Sequence, residues 1–345
     1  GEAAMADHQA TSIADHFAVY LNHLRAKGTT NAHIVDLQSK ANRLFADCRF
    51  DTLRDVDAKT LETWLTAQQA KKMAARTRNR YLQALRGFCK WCVETERLPA
   101  NPLARVSKAD EKSDRRKHRR AMTEAELVTL LQVARMRPLA DYGRESVPLD
   151  ADEVEASDKP PKRSQWKYKP LTLDGMQQAV ELARERLKDN PEFVEKLERL
   201  GRERALIYKT LVLTGLRKNE LASLTVGQLD LDGLMPFVVL DAADEKNRQG
   251  STIPLRADLA NDLKVWLSDH PPPATLKLRD ASKATDSKRP LFTVPAGLVR
   301  ILDRDLLAAG IDKRDERGRT IDVHALRTSF GTLLSKAGVA PRTAQ

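Results

Sequence analysis

The chain has 345 residues, of which 41% are hydrophobic and 31% are charged, and this composition is typical of a globular protein with room for two domains rather than a disordered one. The apolar runs are far shorter than the roughly 20 residues that a membrane-spanning helix needs, and the printed sequence opens without a secretory leader, so we expect an intracellular protein. The formal net charge of +11 suits a polyanionic partner such as nucleic acid, although solubility alone would also account for it.

The first part of the chain predicts a small helical domain. We interpret residues 1–10 as a tag or disordered start, and residues 11–106 as a helical bundle. Apolar residues recur at helical spacing in "SIADHFAVYLNHLRAKG", "NAHIVDLQSKANRLFADC", "DAKTLETWLTAQQAKKM" and the stretch from Tyr81 to Val93. Gly28 marks the end of the first helix, and Asn31 is expected to cap the second. The prolines of "LPANPL" end the domain.

The three cysteines indicate a reduced protein. Cys89 and Cys92 form a C-x-x-C pair, but no second pair completes a zinc site. Both residues continue the apolar stripe of the predicted fourth helix. We therefore expect them in the core, with metal or redox chemistry as the weaker alternative.

A basic linker is predicted over residues 107–120, "SKADEKSDRRKHRR". It has no apolar periodicity and is rich in Lys and Arg, which is typical of an exposed connection. It is either a solvated connector or a strap that lies along a phosphate backbone, and the basic composition favours the strap.

The second domain, residues 121–345, is predicted to be mainly helical with a small β-sheet. Thr123 and Glu126 form a capping-box pattern before an apolar run. Residues of about 137–170 are irregular and predict an insertion, in which Trp166 and Tyr168 could touch nucleic acid but are more simply expected to pack the insertion onto the domain. "FVVLDAADEKNRQGSTIPL" predicts a β-hairpin.

Three segments of this domain carry groups that suit one phosphate. In "TGLRKNELASL", Arg217 can fork onto two phosphate oxygens and Glu220 can hold its orientation. Lys246 lies in the hairpin turn, where a lysine can deliver a proton to a leaving oxygen. In "VHALRTSF", His324 and Arg327 share a helix face. Each residue taken alone would usually be a solvated surface group.

In this order, the three segments resemble the motifs of the tyrosine recombinase family, which includes the phage integrases. The helical first domain resembles the core-binding domain of that family, with "TRNRYLQALRGFCKWCVE" and "ANPL" typical of its end. The resemblance covers nearly the whole chain and fits least over residues 137–170 and part of the helical stretch that follows. It implies a mainly α fold with a small β-sheet, in which a helical-bundle core-binding domain precedes an α+β catalytic domain.

The resemblance also implies roles for individual residues. Arg217 and Arg327 would clamp the scissile phosphate, Lys246 would protonate the leaving 5′-oxygen, and His324 would assist proton transfer or hold the phosphate, with Glu220 supporting Arg217. Neither a metal nor another cofactor is implied. Double-stranded DNA is the expected partner, with self-association as a dimer or tetramer on the DNA and a location at the bacterial nucleoid in the cytoplasm. The expected DNA contacts are Arg76, Arg78, Asn79, Arg80, Arg115, Arg116, Lys117, Arg119, Arg120 and Arg248.

The sequence departs from the family at the nucleophile. The resemblance implies a tyrosine that follows the second arginine and forms a 3′-phosphotyrosyl link, but all five tyrosines precede Arg217. We therefore expect that the sequence is truncated before the nucleophile. The family acts in integration or excision of a mobile element, and we expect this chain to bind DNA without forming a covalent link to it. The alternatives are a non-catalytic DNA-binding protein of the same fold and a type IB topoisomerase, against which the small first domain and the hairpin argue.

Overall fold

The computed structural model describes His8 and residues 11–148, 166–245, 247–269 and 288–340. The chain divides into two compact units, Gly1–Arg116 and Lys117–Gln345, so that the division falls inside the predicted linker. Over the described ranges, no helix combines the length and the apolar character that crossing a membrane requires.

The first unit contains four helices in its described part. They are α1 (Ile13–Ala26), α2 (Asn31–Cys48), α3 (Ala58–Ala70) and α4 (Ala75–Glu94). A short 3-10 turn, Leu53–Asp55, joins α2 to α3. All four helices were predicted, and the apolar stretch from Tyr81 to Val93 lies inside α4, which begins at Ala75.

Side chains of the preceding residues cap two of these helices. Ser12 accepts a hydrogen bond from the backbone N–H of Ala14 at 3.2 Å, and Asp57 accepts one from Thr60 at 3.0 Å; such caps satisfy N–H groups that the helix leaves without partners. Asn31 was expected to cap α2, but it is the first helical residue and Thr30 precedes it as the N-cap.

Aromatic rings fill the core of the first unit. Phe88 packs edge-on against Phe17 with 5.1 Å between the ring centroids, and Trp91 stacks beside Phe88. Cys89 and Cys92 are fully buried on the same helix, and burial raises the pKa of Cys92 to about 12. Both thiols are therefore core residues, and no cluster of metal-ligating side chains occurs in the part of the chain that the structure describes.

The second unit is mainly helical. Its helices are α5 (Glu124–Ala140), α6 (Met176–Arg186), α7 (Pro191–Thr214), α8 (Lys218–Ser223), α9 (Ala257–Asp269), α10 (Leu298–Ala308) and α11 (Val323–Lys336). Its strands are β1 (Ser146–Pro148), β2 (Trp166–Tyr168), β3 (Leu229–Asp230), β4 (Phe237–Leu240) and β5 (Ser251–Pro254). The predicted capping box at the start of α5 is present, because Thr123 and Glu126 exchange hydrogen bonds between side chain and backbone.

The predicted hairpin forms the centre of a small sheet. Strands β3, β4 and β5 follow one another in an antiparallel sheet, and β4 pairs with β5 from Phe237 opposite Pro254 to Leu240 opposite Ser251. Alternate residues of β4, Val238 and Leu240, are buried, which attaches the sheet to the helices through one face.

The irregular segment that was predicted from about residue 137 begins later in the structure. Residues 137–140 complete α5 although Pro138 lies inside the helix, and the irregular segment is closed by β1 and β2, which pair antiparallel. The end of α5 is held by Arg137, whose Nε donates to Asp305 of α10 at 2.5 Å. Tyr208 of α7 donates to the same carboxylate at 2.7 Å, so this buried network joins three helices.

Candidate active site

The segment that carries Arg217 begins at the end of α7. Gly215 ends that helix in the left-handed conformation, with φ of +68°, which favours glycine because it has no Cβ. The backbone N–H of Gly215 still bonds to the carbonyl of Leu211 at 3.1 Å. This sharp turn places Arg217 directly before α8.

Glu220 holds Arg217 through two hydrogen bonds. The backbone N–H of Arg217 donates to the Glu220 carboxylate at 2.8 Å, and its Nη1 donates to the other carboxylate oxygen at 2.5 Å. The Glu220 side chain is 5% exposed and that of Arg217 is 29% exposed. A buried carboxylate therefore orients a guanidinium whose other N–H groups remain available at the surface.

His324 and Arg327 lie in the first turns of α11. Asp322 is the N-cap of this helix, and its side chain accepts a hydrogen bond from the backbone N–H of Ala325 at 2.9 Å. Between the two candidate residues, Ala325 and Leu326 are fully buried. The cap and the buried face fix which side of α11 points outward, and His324 and Arg327 lie on that exposed side.

The two arginine-bearing segments meet at Gly215. Nη1 of Arg327 donates to the carbonyl of Gly215, two residues before Arg217 and 112 residues from Arg327 in sequence. Phe330, on the next turn of α11, packs so closely that a Cβ on Gly215 would lie 2.3 Å from its ring. The structure thus brings Arg217, His324 and Arg327 together at one place.

Positive charge dominates the surroundings of His324. Partial burial lowers the pKa of His324, and the charges of Arg119, Arg327 and Arg217 lower it further, while Asp322 opposes them. The imidazole is therefore neutral more often at pH 7 than an ordinary histidine, and three guanidiniums around it leave the site short of negative charge. Such a site attracts an anion with several oxygens, as a phosphate has.

Lys246 lies outside the described residues. Arg248, on the far side of the same turn between β4 and β5, is exposed and has φ of +56°. The structure therefore describes the two strands that carry the turn without placing the lysine relative to Arg217.

The candidate DNA contacts of the first unit divide into two kinds. Arg76 and Arg80 are exposed at the start of α4, and Arg78 donates to Gln69. Asn79 does not fit the prediction, because it is 3% exposed. Its amide nitrogen donates to the carbonyl of Ala109 at 2.9 Å, and its oxygen accepts from the N–H of the same residue at 2.8 Å. Asn79 therefore anchors the start of the linker inside the protein.

Most of the basic linker residues are also paired within the protein. Arg116 donates to Asp114 at 2.6 Å and to the carbonyl of Lys72 at 2.7 Å. Lys117 and Arg119 contact Asp322, while Arg120 makes a two-point contact with Glu126. Arg115 is exposed and has no partner among the described residues. Within each unit, most of these residues are accordingly held by contacts with the protein itself, unlike a free strap.

The sequence led us to expect that Trp166 and Tyr168 pack against the domain, but both residues are exposed. Their side chains are 58% and 62% exposed on one face of β2. The guanidinium of Arg144 lies 5.3 Å from the centre of the Tyr168 ring. These aromatic residues thus form an exposed surface at the base of the insertion.

Asp322 belongs to the site but was not identified from the sequence. An aspartate directly before a predicted helix is a capping signal, so its cap could have been predicted. Its contact with Arg119, which lies 203 residues earlier, has no local sequence signal.

Comparison with known families gives two matches in chain order. Residues 14–96 match the description "Phage integrase, N-terminal SAM-like domain", and residues 185–345 match "Phage integrase family". The unmatched stretch between them includes the linker, α5 and the insertion. A comparison with curated protein sequences gave no match.

Solved structures show the same fold. A lambda integrase dimer bound to a COC′ core site aligns over 97% of this chain and 73% of its own, with 15% identity and a TM-score of 0.57. A lambda integrase tetramer bound to a Holliday junction covers 98% and 76%, with 16% identity and a TM-score of 0.55. The Tn1549 transposon integrase in complex with transposon right end DNA covers 97% and 90%, with 14% identity and a TM-score of 0.54.

Proposed function

Because this chain belongs to the phage integrase family of tyrosine recombinases, we propose that Arg217, His324 and Arg327 form a phosphate clamp that holds the scissile phosphate of a specific DNA site. The observation that carries this proposal is the contact between Arg327 and the Gly215 carbonyl. It joins two segments that lie 112 residues apart in sequence and that carry the two arginines.

The clamp would act on the charge of the transition state. When a nucleophile attacks the phosphorus, negative charge builds up on the two non-bridging oxygens, and preorganised guanidiniums stabilise it without reorganising. Glu220 keeps Arg217 oriented before DNA arrives. His324, whose pKa is lowered chiefly by burial, can accept a proton or donate a hydrogen bond to the phosphate.

Lys246 completes the proposed chemistry. In the step that cuts a strand, a tyrosine oxygen bonds to phosphorus as its proton passes to a base such as His324. The bond from phosphorus to the 5′-oxygen breaks, and Lys246 supplies the proton that this oxygen takes up. Rejoining is the reverse reaction on a new 5′-hydroxyl. In the sequence, Lys246 falls between β4 and β5, in the order that the family resemblance implies.

We further propose that these 345 residues bind DNA without becoming linked to it. Tyr208 is fully buried and donates to Asp305, and burial raises its pKa far above the usual value. Tyr20 is buried in the first unit. Tyr142 packs edge-on against Phe193, with 5.2 Å between the ring centroids, and Tyr168 lies beside the insertion, so neither is part of the clamp.

Self-association on DNA is part of the same proposal. Lambda integrase is found as a dimer on a core site and as a tetramer on a Holliday junction. A recombination event exchanges strands between two DNA sites, which needs one active centre for each strand that is cut. We expect this chain to bind an inverted pair of half-sites as two copies.

Selection from a randomised 40-bp duplex library tests the proposal. We expect the protein to enrich one motif built of two half-sites, and Arg217→Ala and Arg327→Ala variants to bind that motif more weakly. A duplex nicked within the motif should give no covalent adduct on a denaturing gel. Failure to enrich any motif would contradict a site-specific function, whereas an adduct would show that one of the five tyrosines is a nucleophile.

A further inference from the structure

The end of the basic linker lies against the helix of the phosphate clamp. We call residues 117–122, the last four residues of the predicted linker and the first two that follow it, the linker end. The backbone N–H of Thr320 donates to the carbonyl of His118 at 2.8 Å, and the N–H of Arg120 donates to that of Thr320 at 3.3 Å. Further along, the N–H of Met122 donates to the buried hydroxyl of Ser329 at 2.9 Å. The linker end thus follows the start of α11 on both sides of Asp322.

Two side chains of the linker end contact the carboxylate of Asp322. Nε of Arg119 donates to its two carboxylate oxygens at 2.9 and 3.1 Å, and Nζ of Lys117 lies 2.7 Å from one of them. Burial by itself would raise the pKa of Asp322, but the hydrogen bonds from Arg119 and Lys117 outweigh it and lower this pKa to about 2. The carboxylate is therefore ionised at every pH at which the protein would be used.

The same carboxylate controls the first turn of α11. It accepts the N–H of Ala325, which lies between His324 and Arg327. A displacement of Asp322 would move that turn, and with it both side chains of the clamp. The charge of Arg119 also acts on His324 and, after partial burial, lowers the pKa of its imidazole.

We propose that Arg119 and Asp322 are positioning residues. Through their ion pair, the linker end holds the start of α11 in place and so sets the positions of His324 and Arg327. The charge of Arg119 is then neutralised inside the protein rather than on DNA, in contrast to the strap that the sequence suggested. The inference rests on the proposed function only for the statement that the clamp holds phosphate.

Salt dependence of DNA binding separates the two roles. Affinity for a 30-bp duplex of arbitrary sequence would be measured by fluorescence anisotropy over a range of salt concentrations. The logarithm of the affinity falls as the logarithm of the salt concentration rises, and loss of one phosphate contact makes this slope shallower by about one. We expect Arg327→Gln to make the slope shallower by about one and Arg119→Gln to leave the slope unchanged.

Amide hydrogen exchange measures the positioning itself. We expect Arg119→Gln to speed exchange in the first turn of α11 about fivefold or more, as loss of roughly 1 kcal/mol of local stability would. Arg119→Lys, which keeps the charge, should recover part of the protection. Arg116→Gln is the matched control, because Arg116 pairs with Asp114 in the first unit, and it should leave this turn unchanged.

NMR titration gives a third readout that a merely structural role would not move. Because the positive charge of Arg119 helps to lower the pKa of His324, Arg119→Gln should raise this pKa, and Asp322→Asn, which keeps a capping side chain, should lower it. The positioning role would be overturned if Arg119→Gln made the salt dependence of DNA binding shallower by about one, or if it left amide hydrogen exchange in the first turn of α11 unchanged. An unchanged slope in Arg327→Gln would instead count against the phosphate clamp.

Discussion

His324 connects the charge of the site to its occupancy. In the free protein, burial and three neighbouring guanidiniums lower its pKa below 6.5. A phosphate held by Arg217 and Arg327 would bring negative charge beside the imidazole and raise the pKa again. Binding of DNA should therefore be accompanied by uptake of a proton at His324 when the pH lies near 6.

The pH dependence of DNA affinity tests this coupling. Because the bound state holds more protons, affinity should increase as the pH falls from 7 to 5.5, by at most about tenfold per pH unit for one proton. His324→Gln should reduce this increase by about two- to fivefold over the interval. The other six histidines of the chain are present in both proteins, so the difference between the two pH profiles reports on His324. Identical pH profiles for the two proteins would show that no phosphate approaches His324.

At the scale of the element, the site depends on how α7 meets α11. The two helices touch where Gly215 ends α7 and where Phe330 lies on α11. The carbonyl that receives Arg327 belongs to the same glycine. A side chain at this position would separate the helices and move that carbonyl away from Arg327.

Gly215→Ala should therefore be much more costly than an ordinary glycine substitution. The left-handed backbone costs about 1–2 kcal/mol for a residue with a Cβ, and the clash with Phe330 adds about 1–3 kcal/mol. Gly338→Ala is the matched control, since Gly338 has φ of +76° but no atom within 4 Å of a Cβ. Free energies of unfolding from urea titration would measure both. Equal losses for the two variants would mean that α7 and α11 do not meet at Gly215.

A double variant isolates the steric part. Phe330→Ala removes the ring that a Cβ on Gly215 would strike. If that clash is the main cost, Gly215→Ala combined with Phe330→Ala should lose clearly less stability than the sum of the two single changes. Additive losses would attribute the cost to the backbone alone.

At the scale of the whole molecule, periodic sequence patterns predicted the fold well. The spacing of Leu82, Leu85, Cys89 and Cys92 indicated a buried helix face, and all four are buried in α4. The hairpin was predicted from two β-rich runs around a polar turn, and β4 pairs with β5 there. These features were predictable because each depends on residues close together in sequence.

Features that depend on distant residues were not predictable. The sequence predicted an irregular segment from about residue 137, but residues 137–140 complete α5, where they are buried and Asp305 of another helix holds Arg137. The composition of the linker indicated either a solvated connector or a strap along a phosphate backbone, yet Arg119 contacts an aspartate 203 residues away. A basic residue does not reveal in sequence whether its partner is a phosphate or a carboxylate.

The most direct test of the phosphate clamp is an experimental structure of these 345 residues bound to the duplex that the library selects. We expect one backbone phosphate to lie within about 3 Å of guanidinium nitrogens of both Arg217 and Arg327, with His324 in contact and Arg119 still on Asp322. A complex in which the DNA passes elsewhere, or in which Arg217 and Arg327 hold different phosphates, would contradict the clamp.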